Sequence, residues 1–212
     1  MLRKVAFSDL VISAGMQRSG STLLFNILKQ LFGLRSPTTI TAGYIRDYAQ
    51  LGAADLFIIK THTLPVLLRL RARQIFYTYR DVRTAMVSQN RKFGGKPDLG
   101  FVSYCINQYL IAKRYGTLLI KYEDLIEDPL IWIERIAGCL KMQVDAGWVW
   151  EHVNNTEIPK SGDGYSKETL FHPNHATGTT DGEWRAVLEQ NLQNEICDRF
   201  GWWLDECNYP RT

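Results

Sequence analysis

Four short stretches carry side chains suited to holding or transferring an anionic group. The first is Gly15-Met16-Gln17-Arg18-Ser19-Gly20-Ser21-Thr22. It follows the apolar run Leu10-Val11-Ile12-Ser13-Ala14 and opens the amphipathic stretch Leu23, Leu24, Ile27, Leu28, Leu31, Phe32. A glycine turn between a strand and a helix directs backbone N–H groups and the positive helix end at an anion, usually a phosphate. The glycine spacing is that of a Walker A loop ending in Thr22. Ser21, however, stands where the lysine that reaches the β- and γ-phosphates of ATP belongs, and the loop's only cation is Arg18. The bland alternative is a tight connection without a ligand. The second stretch is Lys60-Thr61-His62, after Leu56-Phe57-Ile58-Ile59. Residues two apart in extended chain share a face, so a cation and a titratable base point the same way. In isolation such a pair is more often a surface lysine and a hydrogen-bonded histidine.

The third stretch is Arg80-Asp81, closing the run Gln74-Ile75-Phe76-Tyr77-Thr78-Tyr79, with Ser88 two helical turns along. Arginine at such a point is a ready fork for an oxyanion, and Asp81 can cap the following helix. The alternative is an ion pair between Arg80 and Asp81 or another carboxylate. Arg83 and Arg91 read as solvated charges on that helix. The fourth stretch is Leu118-Leu119-Ile120-Lys121-Tyr122-Glu123-Asp124-Leu125. Acidic residues there are placed as a magnesium ligand would be, but the preferred reading is that they cap turns and pair with nearby basic residues.

The elements that must position these groups are legible in the hydrophobic pattern. Leu56–Lys60, Gln74–Tyr79 and Thr117–Tyr122 are short and nearly continuous in apolar residues, as strands buried on both faces are. Helices are expected near 22–33, 82–92, 101–115, 129–140, 144–153 and 184–201, with Asp128-Pro129 as a helix start. Strands alternating with helices predict an α/β fold: a central parallel sheet with helices on both faces and a P-loop-like strand–loop–helix at the N-terminus. Ligands of such sheets bind at the carboxyl ends of the strands, where all four stretches fall. Residues 1–212 are expected to form a single domain. Asn154 to Glu183 lacks periodicity and carries several glycines and prolines, which suggests a lid or binding loop.

Composition sets the outer bounds. The chain has 212 residues, 45% hydrophobic and 22% charged, with a net charge of +3. A pI near 8.6 is too weakly basic to argue for a nucleic-acid partner and suits an anionic small ligand. The run Arg69-Leu70-Arg71-Ala72-Arg73 reads as a solvated face. No run of eighteen apolar residues and no signal-peptide pattern occurs, so no membrane span is expected. Cys105, Cys139, Cys197 and Cys207 are scattered without ligand spacing, pointing to reduced thiols, no structural metal and a cytoplasmic setting.

Taken together, the motifs resemble those of sulfotransferases that use 3′-phosphoadenosine 5′-phosphosulfate (PAPS). Gln17-Arg18-Ser19-Gly20-Ser21-Thr22-Leu23 is similar to that family's 5′-phosphosulfate loop. Ile59-Lys60-Thr61-His62-Thr63-Leu64-Pro65 is similar to its Lys-Thr-His-Leu-Pro segment, with Thr63 inserted. Tyr79 to Ser88 resembles its 3′-phosphate motif, Tyr122-Glu123-Asp124-Leu125 its Tyr-Glu-Asp-Leu segment, and Gly182-Glu183-Trp184 its Gly-Asp-Trp element. The matches run in the family's order over residues 10–185. The resemblance implies PAPS as donor and adenosine 3′,5′-bisphosphate (PAP) as product, with no metal required. It implies Lys60, His62 and Arg18 as catalytic residues. Gln17, Arg18, Ser19, Gly20, Ser21, Thr22, Arg80, Ser88 and Tyr122 would bind the donor, and a small-molecule hydroxyl or amine would be the acceptor.

The chain departs from the family in three ways. The Arg-Lys-Gly clamp that often precedes Gly-Asp-Trp is replaced by Thr177-Gly178-Thr179, with His175, Lys167 or Arg185 as possible substitutes. Leu23 stands where the family stacks a tryptophan on adenine. The chain is also short, so the acceptor does not carry over. Trp148, Trp150, Tyr165 and Phe171 are candidates to line its site, although aromatics at such spacing are more often core. A P-loop kinase using Asp124 and magnesium, and a non-catalytic PAP-binding module, remain as alternatives.

Overall fold

The computed structural model describes residues 9–34, 39–50, 54–96, 98–160, 164–173 and 178–212. Five strands form one parallel sheet: β1 (Asp9–Gly15), β2 (Ile40–Tyr44), β3 (Leu56–Thr61), β4 (Gln74–Tyr79) and β5 (Leu118–Lys121), in the order β2-β3-β1-β4-β5. β1 lies between β3 and β4, so the order reverses at β1, where a crevice opens beyond the carboxyl ends of the strands. The register aligns those ends: Ala14 lies opposite Thr61, Gly15 opposite Thr78 and Tyr79 opposite Lys121.

Alternate residues of each strand feed two cores. Leu10, Ile12, Phe57, Ile59, Ile75 and Tyr77 pack against α3 (Val82–Phe93), α4 (Leu99–Tyr115) and α9 (Gln190–Glu206). Val11, Leu56, Ile58 and Phe76 pack against α1 (Ser21–Gly33), α6 (Pro129–Cys139) and α7 (Ala146–Asn154). α1 presents Leu24, Ile27, Leu28 and Leu31 at i, i+3, i+4 and i+7, each fully buried. At about 1.5–3 kcal/mol per side chain, that face holds the helix, and the loop before it, firmly on the sheet.

Three aspartates start helices as expected of N-caps: Asp81 accepts from the Arg83 N–H at 2.9 Å, Asp98 from Phe101 at 2.8 Å and Asp145 from Trp148 at 3.0 Å. Three short elements lie outside the sequence expectation. β2 is an edge strand, mostly half-buried, whose Ile-Thr-Ala-Gly-Tyr lacks a continuous apolar run. α2 (Val66–Arg71) buries no residue and so shows no apolar face. α5 (Tyr122–Glu127) takes up the acidic residues read as following a strand. The helix expected over 184–201 is two, α8 (Trp184–Val187) and α9. Leu188, buried and extended (ψ 139°), breaks the path between them.

Arg73 pairs with Asp9 at 2.5 Å at the amino edge of the sheet, opposite the crevice. All four cysteines are free thiols. Among the described residues no helix is long and apolar enough to cross a membrane.

Candidate active site

The loop after β1 is tied to β4 from below. The Met16 N–H donates to the Thr78 carbonyl at 3.0 Å. The fully buried Ser19 hydroxyl lies 2.8 Å from the Met16 carbonyl, 3.0 Å from the Thr78 carbonyl and 2.9 Å from the Thr78 hydroxyl. Ser19 therefore braces the loop, with its side chain directed away from the cavity. Arg18 and Gly20 take left-handed conformations (φ 65° and 78°); Gly20 does so without cost, whereas at Arg18 it is a strain usually stored where a loop is shaped for a ligand. A Cβ on Gly20 would lie 2.5 Å from the Tyr122 ring, so only glycine lets that ring close the side of the loop. α1 begins with no capping side chain and no acidic residue in its first turn. Its first N–H groups lack intrahelical acceptors and its positive end is uncompensated, which together make an anion site.

Lys60 and His62 project from the end of β3 beside this loop. His62 Nδ1 is 2.9 Å from the Gly15 carbonyl, which can only accept, so Nδ1 carries a proton, and in the neutral ring the lone pair is then on Nε2. That lone pair faces Lys60 Nζ at 3.4 Å. Lys60 is 5% exposed, its ammonium 5.0 Å from the Tyr44 ring centre, and among the described residues it has no carboxylate partner. Burial, aided by the charges of Arg18 and Arg46, lowers its pKa to about 7. A lysine held in that state is readily recharged by an incoming anion.

Arg80 leaves the end of β4 and is 7% exposed. Its guanidinium carbon lies 4.6 Å from the Tyr122 ring centre, so Tyr122 packs between Gly20 and Arg80. Nη2 donates to the Thr179 carbonyl at 3.2 Å and to Asp181 at 3.0 Å; Nε lies 3.7 Å from Glu123 and is buried without an acceptor. The Glu123 Oε1 that it faces is likewise buried without a donor, so the two charges pair at slightly more than hydrogen-bond length. Arg18 Nε donates to the Ser88 hydroxyl at 3.0 Å, joining the loop to α3. Burial, followed by repulsion from Arg80, lowers the Arg18 pKa. Glu123 accepts from the Tyr209 hydroxyl at 3.0 Å, and burial raises its pKa. Its place beside Arg80 agrees with the reading of this acid as a partner for basic residues.

The reading of Arg83 as a solvated charge is overturned. It is fully buried and bidentate to Asp81 (2.9 and 2.7 Å). It donates to the Pro210 and Arg211 carbonyls at 2.6 and 3.3 Å and stacks 3.7 Å over Trp184. A buried charge is tolerated when its donors are met in this way. Arg91 is partly exposed but clasps Glu183.

These groups share one cavity of about 720 Å³. Gln17, Arg18, Gly20, Ser21, Thr22, Lys60, His62, Arg80, Ser88 and Tyr122 all line it. Leu23, Trp150, Tyr165 and Phe171 also line it, whereas Trp148 is exposed and stacks on His152. Of the substitutes considered for the absent Arg-Lys-Gly clamp, Lys167 is exposed and Arg185 donates to the Thr212 carbonyl at 2.6 Å; His175 lies outside the described residues. Residues not singled out from sequence include Tyr44, Arg46, Gln89, Phe93 and Thr179. Tyr44 and Arg46 follow a strand that carries no apolar signal, and the others sit on unremarkable positions of α3 or an irregular segment. Between α7 and α8 the described residues contain no helix or strand, yet they supply Ile158, Leu170, His172 and Gly178 to the wall.

The sequence matches no protein-family model and no curated protein. In three dimensions it is similar to a mouse sulfotransferase, SULT7A1, complexed with PAP: TM-score 0.63, 14% identity, over 93% of this chain and 84% of that one. Retinol dehydratase in complex with retinol and PAP superposes with a TM-score of 0.61 and 13% identity over 92% and 81% of the two chains. Its complex with androsterone and inactive cofactor PAP gives 0.60 and 14% over 93% and 80%. The chain has the α/β fold of the PAPS-dependent sulfotransferases.

Proposed function

We propose that this protein transfers the sulfuryl group of PAPS to a hydroxyl or amine acceptor. The observation that carries the proposal is the pair at the end of β3. His62 Nε2 and the buried Lys60 amine lie 3.4 Å apart beside the loop that opens α1, and the Gly15 carbonyl on Nδ1 leaves Nε2 of the neutral ring to accept a proton. The PAP-bound structural neighbours support the choice of donor. The 5′-phosphate would rest on the N–H groups of the loop, with Arg18, Ser21 and Thr22 around it. Arg80 and Ser88 would take the 3′-phosphate, and Tyr122 would wall the nucleotide between them. The described parts of the segment 154–183, residues 154–160, 164–173 and 178–183, would cover both substrates.

In the reaction the acceptor oxygen attacks sulfur as the bond from sulfur to the bridging oxygen breaks. The acceptor's proton passes to His62 Nε2, and PAP leaves with the bridging oxygen on its 5′-phosphate. Charge grows on that oxygen and spreads over the sulfuryl oxygens in a loose in-line transition state. A charged Lys60 would meet it in a site where water has been excluded.

Thermal denaturation and an acceptor screen test the proposal. PAP without added metal should raise the melting temperature more than magnesium-ATP does, by the equivalent of about 2.7 kcal/mol at 100 times Kd. Labelled sulfate should then move from PAPS to members of a panel of phenols, alcohols, amines and sugars. Stronger stabilisation by magnesium-ATP would indicate a kinase. Stabilisation by PAP with no transfer to any acceptor would indicate a binding module.

A further inference from the structure

Under that reading the donor occupies three cations of the cavity: Arg18, Lys60 and Arg80. A fourth, Arg46, also lines the cavity, on the first turn after β2. Its guanidinium lies 5.3 Å from the Tyr44 ring centre and 4.6 Å from that of Tyr165, and Nε donates to the Tyr165 hydroxyl at 3.1 Å. An exposed arginine normally samples many rotamers, and ordering it has an entropic cost. Two rings and a hydrogen bond hold this one.

The rings form a continuous wall that begins at the proposed base. His62 lies 6.2 Å from Tyr44, Tyr44 6.2 Å from Tyr165, and Tyr165 5.5 Å from His172. Arg46 sits on the middle two. Among the described residues that line the cavity there is no aspartate or glutamate. Asp47 accepts from the Tyr165 hydroxyl and is not part of the lining. The acceptor end of the cavity is therefore an aromatic surface that presents a guanidinium, while the acid that acts on that charge, Asp47, stands behind Tyr165 and outside the lining. The field reaches both ends of the wall. Arg46 contributes to the lowering of Lys60, after burial and Arg18. It contributes likewise to that of His172, after burial, Lys92 and Lys60 and against a hydrogen bond to Gly164.

We infer that the acceptor is a planar, ring-bearing hydroxyl compound that carries an anionic group, with its ring against Tyr44 and Tyr165 and its anion on Arg46. A neutral acceptor would leave the guanidinium to water, and a cationic one would be repelled. A carboxylate, by contrast, gains a charge-assisted hydrogen bond from a donor already fixed in place. The inference rests on the sulfotransferase reading and fails separately from it.

The test compares three phenols of similar size and different charge: para-hydroxyphenylacetate, para-hydroxyphenethyl alcohol and tyramine, each with PAPS. The carboxylate should have a kcat/KM about tenfold above that of the neutral alcohol, the size of one charge-assisted contact at a partly wet site. Tyramine should be the poorest. The ratio of carboxylate to alcohol should shrink as salt is added, collapse toward unity in Arg46→Gln, and invert in favour of tyramine in Arg46→Glu. Because the readout is a ratio, a general loss of activity in either variant does not disturb it. Equal or better use of the alcohol or the amine, a ratio unmoved by Arg46→Gln, or no use of any of the three while PAP still binds, overturns the inference. Loss of PAP binding itself overturns the sulfotransferase reading instead.

Discussion

Lys60 shows how stability and activity pull against each other at one side chain. Its folded pKa of about 7 lies below the ordinary 10.5, so folding expels a proton at any pH between these values. The penalty is full below about pH 7 and is relieved as pH rises toward the unfolded value. Lys60→Met should accordingly stabilise the fold, by about 1 kcal/mol or 2–4 °C in melting temperature at pH 6, and by less at pH 9. The same variant should lose sulfuryl transfer. Turnover itself should trace a bell against pH. The acid limb belongs to His62, which must be unprotonated to accept a proton, and the alkaline limb to Lys60, which must be charged. His62→Ala should lower turnover by about 10²–10⁴-fold and abolish only the acid limb. A profile unchanged in shape would remove His62 from proton transfer.

At the scale of elements, the segment from Gly178 to Glu183 places carboxylates on Arg80 and Arg91. Asp181 takes a donor of Arg80, and Glu183 is clasped by Arg91. Both contacts lie where α3 begins and ends, the helix that also carries Ser88. If Arg80 receives the 3′-phosphate, Asp181 must yield its place. Asp181→Asn should then tighten PAP by up to about fivefold, since a pair with its carboxylate exposed to water is worth about 1 kcal/mol. Titration calorimetry reads this directly, with the nucleotide lacking the 3′-phosphate as control. Equal tightening for both nucleotides would place the 3′-phosphate elsewhere.

Across the whole molecule, the C-terminal residues act as a strap under the β4–α3 junction. The Pro210 and Arg211 carbonyls accept from buried Arg83, Tyr209 stacks on Trp203 and donates to Glu123, and Glu123 stands beside Arg80. Deleting residues 209–212 would strand two buried donors and expose an aromatic face. The loss should be about 2–4 kcal/mol in urea denaturation, with PAP affinity falling at the same time because Glu123 and Arg80 lose their support. Unchanged affinity in a folded deletion variant would uncouple the strap from the site.

The strand–loop–helix at Gly15 to Thr22, the buried strands β3 and β4 and the alternation of strand with helix were all legible in the chain. They are written in local periodicity and turn chemistry, which act over a few residues. That Lys60, His62 and Arg80 would face one cavity was legible as well, because strand ends are where a parallel sheet presents its ligands. The edge strand β2 and the shallow helix α2 were not legible, since elements that bury little carry little apolar signal. Tertiary structure alone decided that Arg83 is a buried brace, that Asp181 meets Arg80 across 101 residues, and that Arg46 stands over the aromatic wall running from His62. Each depends on what the folded chain brings opposite a charge. A sequence states the charge but leaves its partner to the fold.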